Sequence, residues 1–274
     1  MSTTAPLEPS LDLGFAPVPS GTRLNRKRVR YPHSVTTALT WDGLPARAAG
    51  VILQSGSGGL YPGEHVVQRC AVAADARACV TSQASVVVQG VAGRHGPCLE
   101  TTLEVGAGAR LAWFPRLTLL RPDASLTQRV SLRLNPGGAA VVGEGFALPE
   151  TRRAGRLRSS FDLLRDGDRL DLADRLDVDD GADGPPRPAL AGANRAFATI
   201  WSFGRPRPAE ARTWLADVLD RPHLSWSVGD APGVPGFVTR LASPSAGTVA
   251  ATLDLLHCRL GSWLLDPALE GTPT

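Results

Sequence analysis

A pattern of two apolar runs around a turn of small residues occurs three times, and it constrains the fold more than any other feature. Val72–Val80 shows it first, Val105–Trp113 repeats it 33 residues on, and Leu134–Val142 repeats it 29 residues after that. Each copy predicts a strand, a turn rich in Gly, Ala, Pro and Asp, and a second strand. Repeats of this length indicate stacked or layered β units, each leaving an apolar face for its neighbour to cover.

Alternation and turn chemistry predict further strands. In Ser131–Leu134 every second residue is apolar, as in a strand with one buried face. Asp166–Asp168 is typical of a hairpin turn, because Asp-Gly tolerates positive φ. Arg158–Arg165 and Arg169–Val178 on either side of it are therefore predicted to pair. Gly236–Leu241 predicts a short strand later in the chain.

Two helices are predicted in the last third of the chain, over Arg207–Leu219 and from about Ala246 to Leu265. Each has an apolar face at helical spacing. The face of the second consists of Leu253, Leu256, Leu260, Trp263 and Leu264. We therefore predict a mainly β fold, a large β-sheet or stacked β-repeat domain with a few helices in an α+β cap near the C-terminus.

The predicted organisation has three parts. Residues 1–20 are interpreted as a disordered N-terminus, 21–180 as the β-rich scaffold, and 190–270 as a mixed α/β part packed on the same domain. Apolar residues make up 43% of the 274, which indicates a globular chain. No apolar run approaches the roughly 20 residues of a membrane helix, and the first ten residues do not resemble a signal peptide. We expect a cytoplasmic protein.

The net charge is only +3, but basic residues cluster in one segment. They are Arg23, Arg26, Lys27, Arg28 and Arg30. Such a cluster suggests an anionic partner surface, yet the chain lacks a nucleic-acid-binding motif and a basic stripe with interleaved aromatic residues. The favoured interpretation is a solvated edge strand, whose charges prevent unwanted pairing.

A glycine-rich loop over Gln54–Glu64 joins two predicted strands, Ala48–Leu53 and Val66–Val72. A phosphate-binding loop requires a following helix and a Lys-Ser/Thr pair. Pro62 and Gly63 would break such a helix, so the nucleotide-binding hypothesis is excluded. What remains is a tight turn that places Glu64 beside a sheet.

Catalytic and metal motifs do not occur in this sequence. Gly-x-Ser-x-Gly and His-Glu-x-x-His are missing, and the five histidines are scattered. The acids Glu64, Glu144 and Asp174 stand in or beside predicted strands, where carboxylates usually face solvent. If they converge, they would form a wet acidic groove suited to a divalent cation that exchanges fast.

Five segments resemble the urease accessory protein UreD (also called UreH) in order and spacing. These segments are Arg28–His33, Ser57–Glu64, Thr81–Ser85, Leu103–Ala109 and Asp174–Leu176. The resemblance covers residues 20–178, and the predicted helix over Thr252–Leu265 is similar to the family's C-terminal helix. The residues that form the structural part of these motifs are Tyr31, Pro32, Gly58, Gly59, Gly63 and Gln83.

The resemblance implies a β-rich scaffold that is not an enzyme. Family members bind UreF and, through it, the GTPase UreG, and together they deliver nickel to apo-urease. It implies no tightly bound cofactor, transient Ni²⁺, and neither a nucleic acid nor a membrane as partner. The C-terminal tail over residues 270–274 departs from the family's Pro- and Trp-containing tail, so UreF docking is expected to differ.

The resemblance also implies a set of polar positions along a nickel passage. Glu64, Ser85, Glu144 and Asp174 match the family's positions, with each acid exchanged between Asp and Glu. His33 is a lesser metal candidate, because a lone His after Pro is more often a local hydrogen-bonding residue. Val86–Gln89 replaces the family's usual Thr/Ser-Lys-aromatic run, so any contact of that lysine is lost.

Two other hypotheses remain open. The chain could be a β-repeat protein-binding module unrelated to nickel, docking a partner through the basic segment 23–30. It could also be a hydrolase that uses Glu64 and Asp174 as acid and base. The hydrolase ranks last, because no nucleophile or oxyanion element accompanies the acids.

Overall fold

A computed structural model describes residues 7–36, 44–149, 156–165, 168–179, 193–205 and 211–266. The strands, in chain order, are β1 (Leu11–Val18), β2 (Gly21–Val29), β3 (His33–Val35), β4 (Ala49–Ser55), β5 (His65–Val72), β6 (Arg77–Ser82), β7 (Val86–Val88), β8 (Cys98–Val105), β9 (Arg110–Phe114), β10 (Thr118–Leu120), β11 (Ser125–Leu134), β12 (Ala139–Ala147), β13 (Arg156–Arg165), β14 (Arg169–Asp179), β15 (Ala196–Phe203), β16 (Ser225–Asp230) and β17 (Gly236–Ser243). The helices in the described part are α1 (Ala211–Leu219) and α2 (Ala246–Leu265). The mainly β prediction is confirmed.

Two sheets face each other across a core. Sheet A has seven strands in the order β14-β13-β11-β8-β5-β1-β2. Sheet B has ten, of which eight follow the order β16-β17-β15-β12-β9-β6-β4-β3, while β10 and β7 pair beside β12. Leu13, Leu103 and Leu132 of sheet A pack against residues such as Val80 and Leu111 of sheet B. Each sheet therefore buries one apolar face against the other.

Each predicted repeat is a corner where the chain crosses from sheet A to sheet B. Val72, Val105 and Leu134 end β5, β8 and β11 and lie in register with one another. After each turn the chain enters sheet B on β6, β9 or β12, which pair in parallel. The stacked β units predicted from the repeats are confirmed. Each unit of a sheet A strand, a corner and a sheet B strand is one coil of the stack. Because the coils stack in register, equivalent inward positions form rows along the molecule.

Residues 11–18 contradict the prediction of a disordered stretch over 1–20. They form β1, which pairs in parallel with β5 and antiparallel with β2. Leu11, Leu13 and Phe15 are 0%, 0% and 1% exposed in the core. These alternating apolar residues give the strand one apolar face. The Pro- and Ser-rich residues on both sides made the composition of this stretch typical of a disordered segment, so the strand was not predicted.

The residues from Ala196 onward continue sheet B. β15 pairs antiparallel with β12, and β17 and β16 follow it outward. The hairpin predicted between Arg165 and Arg169 is confirmed, since β13 and β14 pair antiparallel and these two residues are partners. Residues 166 and 167 lie outside the described part.

Helix α2 begins and ends where the sequence predicts, and its apolar stripe packs on sheet B. Ser245 caps its N-terminus by accepting a hydrogen bond from the Thr248 backbone N–H at 3.2 Å. α1 is described from Ala211, and the predicted start over 207–210 lies outside the described residues. Among the described residues, neither helix combines the length and the apolar character needed to cross a membrane.

Candidate functional site

Polar side chains interrupt the apolar rows between the two sheets. One inward position on each of β5, β8, β11 and β13 carries a polar residue, and one on β12 carries an acid. These residues are Gln68, Thr101, Gln128, Ser159 and Glu144. They are at most 9% exposed, so each must find a hydrogen-bond partner within the protein or in bound water. Gln68 pairs with Thr101, and Gln128 pairs with Ser159 in the adjacent register row, two residues earlier along the strands. Together with His33 and Asp174 at its two ends, this set of inward residues is called the polar row.

Glu144 is the centre of one hydrogen-bonded group. Its Oε1 accepts from Gln128 Nε2 at 2.6 Å, and its Oε2 accepts from Ser159 Oγ at 3.0 Å. Burial raises the pKa of the Glu144 carboxyl to about 7, although both hydrogen bonds act to lower it and the charge of Asp174 raises it. Glu144 therefore exchanges its proton in the neutral pH range.

His33 begins a second hydrogen-bonded group at the other end of the row. Gln68 Oε1 accepts from Thr101 Oγ1 at 3.1 Å, which leaves Gln68 Nε2 to donate to His33 Nε2 at 3.3 Å. Burial lowers the pKa of His33 to about 4, so its imidazole is neutral at pH 7. A neutral imidazole with an accepting nitrogen can also bind a metal ion.

A cavity of about 270 Å³ connects these two groups. Its lining includes His33, Gln68 and Thr101 from one group, Gln128 and Glu144 from the other. Such a volume is far above the roughly 10–15 Å³ that a single water needs, and the polar residues of a mostly apolar lining offer partners to several waters. The cavity therefore has room for water between the two groups.

Asp174 lies beyond Glu144, next to a smaller cavity. This cavity of about 20 Å³ is bounded by residues that include Glu144, Ser159, Asp174 and Arg240. Asp174 Oδ2 accepts from Trp201 Nε1 at 3.0 Å and from an Arg240 guanidinium nitrogen at 2.7 Å. Glu144 thus borders both cavities, and Asp174 is the last carboxylate of the row.

The structure brings together some of the predicted site residues. Ser85, Glu144 and His33 line the larger cavity, and Glu144 and Asp174 line the smaller one. Glu64 lines neither of these two. Its carboxylate accepts from the Tyr61 backbone N–H at 2.9 Å and its own N–H donates to the Tyr61 carbonyl at 3.1 Å, so it closes a turn. The hydrolase hypothesis requires Glu64 and Asp174 to act at one site. They share neither of these two cavities, which counts against that hypothesis.

Comparison with known proteins identifies the family. The sequence matches the model of the family described as "UreD urease accessory protein" over residues 8–270. The chain belongs to the UreD family. It is 34% identical over 241 residues to urease accessory protein UreD 1 of Methylorubrum extorquens, covering 85% of this chain and 80% of the relative.

Two further UreD relatives agree with this assignment. UreD 2 of Bradyrhizobium sp. strain ORS 278 is 32% identical over 81% of this chain and 78% of its own. UreD of Haloarcula marismortui is 30% identical over 95% of this chain and 89% of its own. UreD membership supports a role in urease maturation, as an accessory protein to that enzyme.

The glycine-rich motif residues by which the sequence resembles UreD have structural roles beside the larger cavity. Gly59 has φ +138°, and a Cβ there would lie 2.0 Å from the Val87 carbonyl oxygen. Gly63, at φ +83°, completes the turn closed by Glu64. Only glycine adopts both conformations readily.

Three of the other four motif residues line the same cavity. Pro32 and Gly58 line it, and Gln83 Oε1, also at the lining, accepts from Gln54 Nε2 at 2.8 Å. Tyr31, before Pro32, is 69% exposed. Pro32, Gly58 and Gln83 therefore shape the cavity wall, which Tyr31 does not line.

Sequence reasoning missed Gln68, Thr101, Gln128 and Ser159. A signal was present, because each replaces an apolar residue at an inward position of an otherwise alternating strand. In β11 the inward residues are Leu126, Gln128, Val130, Leu132 and Leu134. One polar exception of this kind on each of four neighbouring strands could have indicated the row.

Proposed function

We propose that this UreD-family chain is a cytoplasmic scaffold that helps to deliver Ni²⁺ to apo-urease, in a complex with UreF and UreG. The observation that carries the proposal is the polar row from His33 through Glu144 to Asp174 along two cavities. In an otherwise apolar core, such a row gives a cation successive polar partners.

The ligands of the row favour transit over storage. Amide, hydroxyl and carboxylate oxygens bind a divalent transition metal more weakly than thiolates do, and they exchange it faster. A protonated Glu144 adds no charge that would trap a cation. An arriving Ni²⁺ favours the carboxylate and releases the proton, so metal binding and protonation compete at Glu144.

Arg240 opposes a cation at the Asp174 end of the row. Its guanidinium nitrogen lies 2.7 Å from Asp174 Oδ2, and its side chain is 53% exposed. The Asp174 side chain is only 15% exposed, so the guanidinium can move into solvent at small cost only if another cation takes its place beside the carboxylate. We infer that a cation replaces Arg240 beside Asp174 on its way through.

The nucleotide chemistry of delivery belongs to a partner in this proposal. The glycine-rich loop is followed by β5 and not by a helix, so it lacks the helix N-terminus that binds phosphate. Ser159, whose hydroxyl donates to Glu144 at 3.0 Å, is 7% exposed, and we assign it to the polar row and not to nucleophilic catalysis. In this proposal the chain is a non-catalytic member of the complex.

Nickel-dependent urease activation tests the passage. Glu144→Gln and Asp174→Asn keep side-chain size and remove the charge, and we expect each to lower activation by about tenfold or more, as loss of a metal-directing group does. Asp177→Asn is the matched control, because Asp177 is on the same strand as Asp174 but is 57% exposed beside Arg158. It should leave activation unchanged.

Co-purification with UreF and urease distinguishes a variant that cannot pass nickel from a variant that cannot assemble with its partners. The passage hypothesis requires that Glu144→Gln and Asp174→Asn still enter the complex but transfer little nickel. Wild-type activation in both variants would refute the passage, and failure of the unmodified chain to bind either partner would refute the proposed complex.

A further inference from the structure

Three side chains of residue types that bind metal ions lie together on the outer face of sheet A, on the side away from the polar row. His65 on β5 is the register partner of Cys98 on β8, and Glu100 lies two residues further along β8. Residues two apart on a strand point to the same side, so all three project outward. His65 is exposed, while Cys98 and Glu100 are half-buried.

The three ligand atoms lie close enough for one ion. His65 Nε2 is 3.4 Å from Glu100 Oε1, and Cys98 Sγ is 3.9 Å from the same oxygen. All three atoms fall within 4.8 Å of one another. Ligands at the usual ~2.0–2.3 Å from a tetrahedral metal are separated by roughly 3.3–3.8 Å, so small side-chain rotations complete the geometry.

A positive group already lies at this point. The Arg129 guanidinium donates to Glu100 Oε1 at 2.6 Å and lies 3.8 Å from Cys98 Sγ. Its side chain is 59% exposed, so the ion pair is solvated and contributes little to stability. A divalent ion can therefore displace Arg129 into solvent without leaving a buried charge unpaired.

We propose that His65 Nε2, the Cys98 thiolate and the Glu100 carboxylate bind one divalent transition-metal ion of the Ni²⁺ and Zn²⁺ class. Binding releases the thiol proton of Cys98 to solvent and moves the guanidinium of Arg129 away. The thiolate and imidazole select this class over Mg²⁺ and Ca²⁺, which require oxygen ligands.

Three protein ligands leave at least one coordination position open. Water or a side chain of another molecule can occupy it, which makes this a site for exchange at the surface. The proposal does not rest on passage through the interior, since β5 and β8 separate the site from the polar row.

Cobalt spectroscopy on the full-length chain tests the site. Co²⁺ is titrated into reduced, anaerobic protein, and thiolate coordination is followed by its charge-transfer band in the near ultraviolet. We expect a band that saturates at about one Co²⁺ per chain, and that Ni²⁺ or Zn²⁺ displaces the Co²⁺. Mg²⁺ in excess should leave the band unchanged.

Cysteine variants identify the thiolate. Cys98→Ser should abolish the band, whereas Cys258→Ser, which removes the exposed cysteine on α2, should retain it. Glu100→Gln keeps the thiol and should weaken Co²⁺ binding by about tenfold or more, which covers the case that Cys98→Ser folds poorly. A band that persists in Cys98→Ser, or no band in the unmodified chain, would overturn the proposal.

A variant of Arg129 tests the same site with the opposite expected result, namely tighter Co²⁺ binding. Arg129→Gln removes the competing cation, so Co²⁺ should bind several-fold more tightly than to the unmodified chain. Arg158→Gln is the matched control, because Arg158 is an exposed arginine on the neighbouring β13 whose partner is Asp177. Weaker Co²⁺ binding in Arg129→Gln than in Arg158→Gln would contradict displacement of the guanidinium.

Discussion

Glu144 is a carboxyl group that burial keeps near the midpoint of its titration at neutral pH. It is 4% exposed and its pKa is about 7. In the protonated form it adds no charge to the interior, and in the ionised form it offers a cation a negatively charged ligand. One equilibrium at this residue therefore affects both stability and the proposed passage.

Glu144→Gln should change how stability depends on pH. The carboxyl's pKa rises from an ordinary 4.5 to about 7 on folding, so its contribution is fully present below about pH 4.5 and is lost as pH rises through 7. At ~1.4 kcal/mol per pKa unit, the loss reaches about 3 kcal/mol. Between pH 5 and pH 8 the free energy of unfolding of the unmodified chain should fall by about this amount relative to that of Glu144→Gln, which lacks the carboxyl. Urea unfolding at the two pH values measures the difference.

The titration of His33 changes stability with pH in the opposite direction. His33 is present both in Glu144→Gln and in the unmodified chain. Its pKa falls from 6.5 to about 4 on folding, so its contribution is present above pH 6.5 and is lost as pH falls through 4. The difference between Glu144→Gln and the unmodified chain cancels this effect. Parallel stability curves for the two proteins would show that Glu144 is not protonated by burial.

Gly59→Ala should destabilise the fold, because the new Cβ would lie 2.0 Å from the Val87 carbonyl oxygen at φ +138°. We expect a loss of about 3 kcal/mol in the free energy of unfolding. In Gly56→Ala, three residues earlier in the loop, the nearest atom would be the Pro32 carbonyl oxygen at 3.7 Å. That control should stay within about 1 kcal/mol of the unmodified chain, and equal losses would contradict a close approach at Gly59.

At the scale of elements, α2 covers the outer face of sheet B near the C-terminus. Val249, Leu253, Leu256 and Leu260 are buried along one side of the helix, while Leu255 on the other side is 39% exposed. The helix contacts β9 and β12, two strands of the stacked coils. Its packing therefore stabilises the sheet that carries Glu144.

Leu256→Ala should lower the free energy of unfolding by about 2–5 kcal/mol, because it removes a fully buried side chain and leaves a cavity. Leu255→Ala changes the neighbouring residue by the same atoms at the exposed side and should cost less than about 1 kcal/mol. Denaturant unfolding of the two variants measures the difference. Equal costs would mean that α2 does not pack on sheet B as described.

At the scale of the whole molecule, the basic segment lies on β2, at the edge of sheet A, and ends with Arg30 directly after that strand. Arg26 forms an ion pair with Asp12 at 2.9 Å, and Arg30 pairs with Glu8. Part of the cluster is thus neutralised within the chain, which favours the edge-strand interpretation over partner docking. Exposed charges along an edge also discourage pairing with another chain.

Replacing Arg23, Lys27 and Arg28 together by Gln distinguishes the two hypotheses. The triple variant keeps the ion pairs of Arg26 and Arg30, so its stability should change by less than about 0.5 kcal/mol. Under the proposed function it should still co-purify with UreF and support nickel-dependent urease activation. Loss of partner binding with intact stability would instead favour a docking module that uses segment 23–30.

Local patterns in the sequence determined the elements. The corners after Val72, Val105 and Leu134 and the limits of α2 follow from alternation, turn residues and helical spacing, which act over a few neighbouring residues. Five short motifs, from Arg28–His33 to Asp174–Leu176, together indicated UreD by their order and spacing. Such signals require no knowledge of which strands pair.

Only the tertiary structure decided which residues meet. Gln128 and Ser159 share a row because β11 and β13 pair in register, and Glu144 reaches them from the opposite sheet. Register and sheet packing arise from long-range contacts, so spacing along the chain could not separate Glu144, which joins the row, from Glu64, which closes a turn. β1 was missed because Pro- and Ser-rich residues flank its short alternating run, and only the core that buries Leu11, Leu13 and Phe15 identifies it as a strand, since burial depends on residues far away in the sequence.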